Sequence, residues 1–190
     1  MQTSGGSSTS VGDAAIFGIL TVSDRASSGE YEDMGGPAIA EFFSEAIESP
    51  WTVVYHCVPD DREAVESMLC SMVDDDRCDV VVTTGGTGPA ERDITPEATA
   101  AVCDRIMPGF GEQMRAISLR FVPTAILSRQ LAGTRGSSLM FNLPGRPKAI
   151  RETIDEIWQA VPYCVDLLGG PYIHCNAEVC DAFRPKDARR

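Results

Sequence analysis

Four short apolar runs, each breaking off into glycine, proline or charge, limit the folds open to this chain more than any other feature of its sequence. They are Ile16 to Val22 (IFGILTV), Trp51 to Val58 (WTVVYHCV), Val80 to Thr84 (VVVTT) and Ser138 to Leu143 (SLMFNL). Apolar runs of this length without strict polar alternation read as strands covered on both faces. Between them stand stretches with helical spacing: Ile39, Phe42, Phe43, Ala46 and Ile47 behind Pro37; Val65, Met68, Leu69 and Met72 behind Asp60 and Asp61; Ile150, Ile154, Ile157 and Trp158 behind Pro147. Strands alternating with helices predict an α/β protein, a three-layer α/β/α arrangement with a mainly parallel sheet.

Local signals place the boundaries. Asp60 or Asp61 is the expected helix N-cap, with Glu63 in capping-box spacing from Asp60. Pro96 opens a helix expected to run through Ile106, and Pro108-Gly109 breaks it. Phe110 to Phe121 reads as another helix, Gly133 to Ser137 as a loop, and Pro144 to Pro147 as a turn. Pro162 interrupts the last long helix and Gly169-Gly170-Pro171 stops it, after which the tail lacks periodicity. With 190 residues the simplest organisation is a single domain over residues 13–190. Residues 1–12 (MQTSGGSSTSVG) lack the basic start and apolar middle of a secretory signal and are expected to form a disordered leader.

Charge and cysteine content narrow the function classes. A formal net charge of −12 argues against non-specific nucleic-acid binding, which needs a basic face. No apolar run is long enough to predict a membrane span. The 7 cysteines are odd in number and include no C-x-x-C, which predicts buried free thiols and a reducing, cytoplasmic setting.

In open α/β sheets, ligands bind beyond the carboxyl ends of the strands. Here those positions carry Ser23-Asp24-Arg25, Pro59-Asp60-Asp61, Thr83 to Asp93 and Asn142 to Lys148. The third reads T-T-G-G-T-G and leads to a helix start at Thr95-Pro96, so backbone N–H groups and a helix end can cradle an anion, phosphate being the usual guest. The same glycines also suit a turn that only needs positive φ, and the run is not a G-x-x-x-x-G-K-[ST] loop. Asp60 and Asp93 are hard oxygen donors suited to Mg²⁺, or helix caps, or both. Arg25, Arg92, Arg135, Arg146 and Lys148 are candidate phosphate contacts. No G-x-S-x-G or Cys–His context supports a covalent nucleophile.

Several of these segments, in order, carry a likeness. T-T-G-G-T-G-P-A-x-R-D-I-T-P-E-A-T from Thr83, S-D-R-A-S-S-G from Ser23, M-P-G-F-G-E-Q-M-R from Met107, P-T-A-I-L-S-R from Pro123 and N-L-P-G-R-P-K from Asn142 resemble the MogA-type molybdopterin adenylyltransferases. The likeness runs from Ile16 to the closing F-R-P-K-x-A-R-R. It implies the MogA-like fold and a cytoplasmic homotrimer that binds molybdopterin and Mg²⁺-ATP. It also implies that AMP moves to the pterin's terminal phosphate with release of pyrophosphate, and that the product passes to a molybdenum insertase. No permanently bound cofactor is implied.

Carried onto this sequence, the resemblance makes Asp60 and Asp93 the catalytic positions and contacts to the nucleotide's metal. Thr84, Gly85, Gly86, Thr87, Gly88, Pro144 and Gly145 become nucleotide-binding candidates, and Ser23, Asp24, Arg25, Ser137 and Ser138 molybdopterin-binding candidates. The quick passage from Trp158 to Val161-Pro162-Tyr163-Cys164 implies a shortened surface connection. The alternative is a non-catalytic molybdopterin carrier or scaffold for molybdenum insertion. A molybdenum insertase itself would require further domains.

Overall fold

The computed structural model describes residues 14–187, and the leader expected over residues 1–12 lies outside them. The four apolar runs become β1 (Ala15–Val22), β2 (Trp51–Val58), β3 (Val80–Thr84) and β6 (Ser138–Leu143), mutually parallel in a sheet. Two short strands complete it: β4 (Arg105–Ile106) and β5 (Ala132–Arg135), giving the order β2-β1-β3-β6-β5-β4 with antiparallel pairing of β5 to β6 and of β4 to β5.

Helices cover both faces. On one side lie α2 (Gly35–Ala46), α5 (Pro108–Leu119), α6 (Pro147–Ile157) and α7 (Val161–Leu168), packed over Phe17, Ile19, Val80, Val82, Leu139 and Phe141. On the other lie α3 (Arg62–Asp74) and α4 (Thr95–Val102), packed over Leu20, Val22, Val81 and Met140. Successive residues of each central strand serve opposite faces, so both must be apolar, which is why these strands read as continuous apolar runs. A one-turn helix, α1 (Asp24–Ser27), follows β1. Trp158 and Gln159 lead within a 3₁₀ turn directly into α7, the short connection expected from the sequence.

Several expected boundaries differ, and α5 runs from Pro108 to Leu119 in place of Phe110 to Phe121 because Pro108 opens the helix. α4 stops at Val102, not Ile106, because Cys103 turns to extended backbone and Arg105–Ile106 pairs with Gly133 and Thr134 as the sheet's edge. The expected loop Gly133 to Ser137 is therefore mostly strand β5, with Gly136 at φ 54 in a two-residue hairpin turn that returns the chain into β6. Gly133 is required here by contact: a Cβ there would lie 2.4 Å from Cys103 Sγ and 2.7 Å from the Arg105 carbonyl oxygen.

The larger core layer centres on Trp158, fully buried with its ring centroid 5.2–5.7 Å from those of Phe43, Phe42 and Phe17. It joins α2, β1 and the end of α6 in one aromatic cluster, so truncation opens a cavity that rigid neighbours cannot close. Trp158→Ala is expected to lower unfolding free energy by about 3–5 kcal/mol, read from the urea midpoint at unchanged m-value.

Candidate active site

Strand register brings the candidate residues together. Val22 pairs with Val58, Thr21 with Thr84, and Thr84 with Leu143, so the carboxyl ends of β1, β2, β3 and β6 finish nearly flush. β1 connects outward to β2 while β3 leads the other way to β6, which places the topological switch between β1 and β3. A cavity of about 330 Å³ opens there, lined by Ser23, Arg25, Asp33, Gly85, Gly145 and Arg146 among others.

The glycine loop crosses the end of β1 with no room for a side chain at Gly85. Gly85 has φ 99, and a Cβ on it would lie 2.3 Å from the Val22 carbonyl oxygen. Gly86 has φ 62, and its Cβ would lie 2.4 Å from Thr95 Oγ1. The Thr95 hydroxyl donates to the Gly85 carbonyl (2.9 Å) and its N–H to the Gly86 carbonyl (3.1 Å), tying the loop to the start of α4. The Thr84 hydroxyl donates to the Pro144 carbonyl (2.8 Å), and Gly145 sits against Gly85 so closely that its Cβ would be 3.5 Å from the Gly85 Cα. Thr84, Gly85, Gly86, Thr87, Gly88, Pro144 and Gly145 thus form two loops packed together. The start of α6 at Pro147, whose N-cap Arg146 makes no side-chain capping bond, borders the same cavity and adds helix-end positive charge.

The acidic residues lie beside this frame. The Asp60 carboxylate accepts the Asp24 N–H (3.0 Å), while the Asp24 carboxylate accepts the Asp60 N–H (2.9 Å). Asp60 therefore does not cap α3; Asp61 does, accepting the Ala64 N–H at 2.9 Å, which decides between the two expected caps. Burial, and then the negative charge of Asp93, push the Asp60 carboxyl above its ordinary pKa. The Asp93 carboxylate accepts the Ala90 N–H (2.9 Å) and lies over Gly88, where a Cβ would be 2.8 Å from Asp93 Oδ2. Arg92 forms an ion pair with Asp24, linking the loop to the Asp24–Asp60 pair.

Other candidates separate. Ser23 caps α1 through the Ala26 N–H (3.3 Å) and lines the cavity with Arg25, which lies 5.4 Å from the Tyr31 ring centroid. Ser137 and Ser138 are not brought to it: they precede or begin β6, at the amino end of a parallel strand whose carboxyl end forms the site. Ser138 donates to the Cys78 carbonyl there (2.6 Å), and Arg135 pairs with Asp74. Lys148 lies 3.7 Å from Glu152 on its own helix.

Two residues had escaped sequence reasoning. Asp33 lines the cavity and accepts from Thr21 Oγ1 (2.9 Å), Tyr55 OH (2.8 Å) and the N–H groups of Gly35 (2.9 Å) and Gly36 (3.0 Å), satisfying the start of α2. Burial, helped by Asp33, pushes the Tyr55 hydroxyl up to about 12. The D-x-G-G-P spacing was the available signal. Arg129 reaches the glycine loop from outside the cavity, and no periodicity marked it.

Among the described residues, no three His, Cys, Asp or Glu side chains gather into a metal cage. The Asp60 and Asp93 oxygens suit a hard divalent cation that brings its remaining oxygen ligands as phosphate and water.

A raised carboxyl pKa means that ionised Asp60 costs stability above its folded pKa, a cost that disappears once both states are protonated. Asp60→Asn retains an oxygen to accept the Asp24 N–H. It is therefore expected to raise the melting temperature at pH 7 and to lose that advantage on acidification to below about pH 4, as read by thermal unfolding across this range.

A family model described as "Probable molybdopterin binding domain" matches residues 18–163. The chain is 56% identical over 170 residues to a molybdopterin adenylyltransferase of Helicobacter pylori, covering 90% of this chain and 97% of that protein. It is 52% identical over 186 residues to a molybdopterin adenylyltransferase of Escherichia coli, covering 92% and 95%. The solved molybdopterin biosynthesis enzyme MoaB of Thermus thermophilus superposes with a TM-score of 0.76 at 41% identity, over 83% of this chain and 99% of that one.

Proposed function

The chain belongs to the family of the probable molybdopterin binding domain, and on that premise we propose that it is a molybdopterin adenylyltransferase of molybdenum cofactor biosynthesis. It transfers AMP from Mg²⁺-ATP to the terminal phosphate of molybdopterin and releases pyrophosphate. The supporting observation is that the glycine loop, Asp60 and Asp93 meet at one strand-end site in a chain more than half identical to curated adenylyltransferases over nearly its whole length.

In the reaction, an oxygen of the pterin's terminal phosphate forms a bond to the α-phosphorus of ATP, while the bond from that phosphorus to the β-phosphate bridging oxygen breaks. Pyrophosphate carries away the electron pair. A phosphate monoester is substantially ionised at neutral pH, so no strong general base is needed. The protein's tasks are to align two anions and offset their charge. Gly85, Gly86 and Gly88, with Thr84, Thr87 and the Pro144-Gly145 turn, cradle the nucleotide phosphates. Ser23, Asp24 and Arg25 flank the pterin's phosphate, and Arg146, which lines the same cavity as Ser23 and Arg25, adds positive charge. Asp60 and Asp93 would hold the Mg²⁺ that accompanies ATP, which would shield phosphate charge when bound.

Asp60 is destabilised as an anion by burial and then by the charge of Asp93, and a divalent cation bound there would offset that cost. Following the family resemblance, the protein acts as a cytoplasmic homotrimer and passes adenylylated molybdopterin to a molybdenum insertase.

The test is whether purified protein forms adenylylated molybdopterin and pyrophosphate from molybdopterin and Mg²⁺-ATP. Asp93→Asn is expected to reduce kcat by at least about 10²-fold while leaving molybdopterin affinity within a few-fold. Tight pterin binding by the wild type without nucleotide consumption would identify a carrier instead.

A further inference from the structure

We infer that Arg129 is a positioning residue for AMP transfer, fixing where the loop presents Asp93 while touching the loop from its outer side. The inference rests on the adenylyl-transfer reading. Arg129 follows the 3₁₀ turn Pro123–Leu127, and its guanidinium has a separate acceptor for each nitrogen. Nε donates to the Gly88 carbonyl (2.7 Å), Nη2 to the Asp93 carbonyl, and Nη1 to the Glu97 carboxylate on α4. The Arg129 backbone N–H adds a bond to the Thr87 carbonyl at 2.9 Å.

The two loop carbonyls taken by the side chain belong to Gly88, over which the Asp93 carboxylate lies, and to Asp93 itself. Asp93 Oδ2 lies over Gly88 with space for hydrogen only, and Asp93 supplies the carboxylate itself. A planar guanidinium with donors in fixed directions holds Gly88 and Asp93 at a defined separation, whereas an ammonium would act as one point charge. Glu97 orients the guanidinium from α4, the helix whose first residue, Thr95, ties down Gly85 and Gly86. Arg92, through Asp24, anchors the same loop toward the cavity. The carboxylate is thus held from two directions, and removal of the Arg129 side chain frees Gly88 and Asp93 while Thr95 still holds Gly85 and Gly86 at the cavity.

The experiment compares wild type, Arg129→Ala and Arg129→Lys, with thermal unfolding as the fold control. In Arg129→Ala, amide hydrogen exchange over residues 86–93 is expected to rise in the ligand-free protein. kcat for AMP transfer should fall by about 10²-fold, the scale of a small misplacement at a reacting centre, with KM for molybdopterin changed less than about twofold. Arg129→Lys should recover only a small part of the rate. Guanidinium chloride at tens of millimolar should restore part of the rate to Arg129→Ala and none to Asp93→Asn. Unchanged exchange in residues 86–93, or wild-type turnover by Arg129→Ala, overturns the inference. So does a rate loss that follows global unfolding and ignores guanidinium. If the wild type transfers no AMP while the exchange difference is present, the adenylyl-transfer reading fails and the assignment of Arg129 to AMP transfer falls with it, leaving only its hold on the loop.

Discussion

The site depends on one backbone contact, the passage of Gly85 over the carboxyl end of β1. The loop can lie against the Val22 carbonyl only because residue 85 has no Cβ and adopts positive φ. With the loop there, the Thr95 hydroxyl meets the Gly85 carbonyl and the Thr84 hydroxyl meets Pro144. Both bonds draw the start of α4 and the turn before α6 over the sheet. The nearly flush parallel register makes this crossing possible, since Thr84 at the end of β3 pairs with Thr21, one residue before the end of β1. Sheet, loop and cavity are therefore consequences of one geometry.

A protein of net charge −12 must accommodate anionic ligands through local arrangement. Asp33 occupies the amino end of α2 with its own carboxylate, so that helix end is already satisfied internally. The start of α6 and the side chains of Arg25 and Arg146 remain on the cavity wall. The acidic residues nearby are constrained by backbone donors or ion pairs, as Asp24 is by Asp60 N–H and Arg92. Attraction for phosphate is therefore a property of a few positions, while the acidic surface disfavours polyanions at large.

Three of the four parallel strands, β1, β3 and β6, were legible because burial on both faces leaves an unbroken apolar imprint, whereas edge strand β2, expected to be covered on both faces, carries its apolar run with Val53 and Tyr55 exposed. β5 was not: A-G-T-R has neither alternation nor an apolar run, and its glycine answers to Cys103, a partner distant in sequence. Two-residue β4 is too short to have a period. At the site, the glycine loop and Asp93 stood out from local pattern, and Asp60 from its place after β2. Ser137 and Ser138 lie at the other end of β6 from the cavity, and adjacency to a strand does not reveal at which of its ends a residue stands relative to the cavity. Asp33 left a partial trace in helix-start spacing. Arg129 left none that periodicity can detect, since its bonds reach Gly88, Asp93 and Glu97 across the fold.

The reciprocal pair between Asp24 and Asp60 has a thermodynamic consequence. Each carboxylate accepts the other residue's backbone N–H, closing a small ring between the segments that leave β1 and β2. The two segments thus lose their independent motion when the chain folds, before any ligand arrives. The entropy of ordering them is charged to the folding equilibrium, leaving more of the ligand's contact energy to appear as affinity.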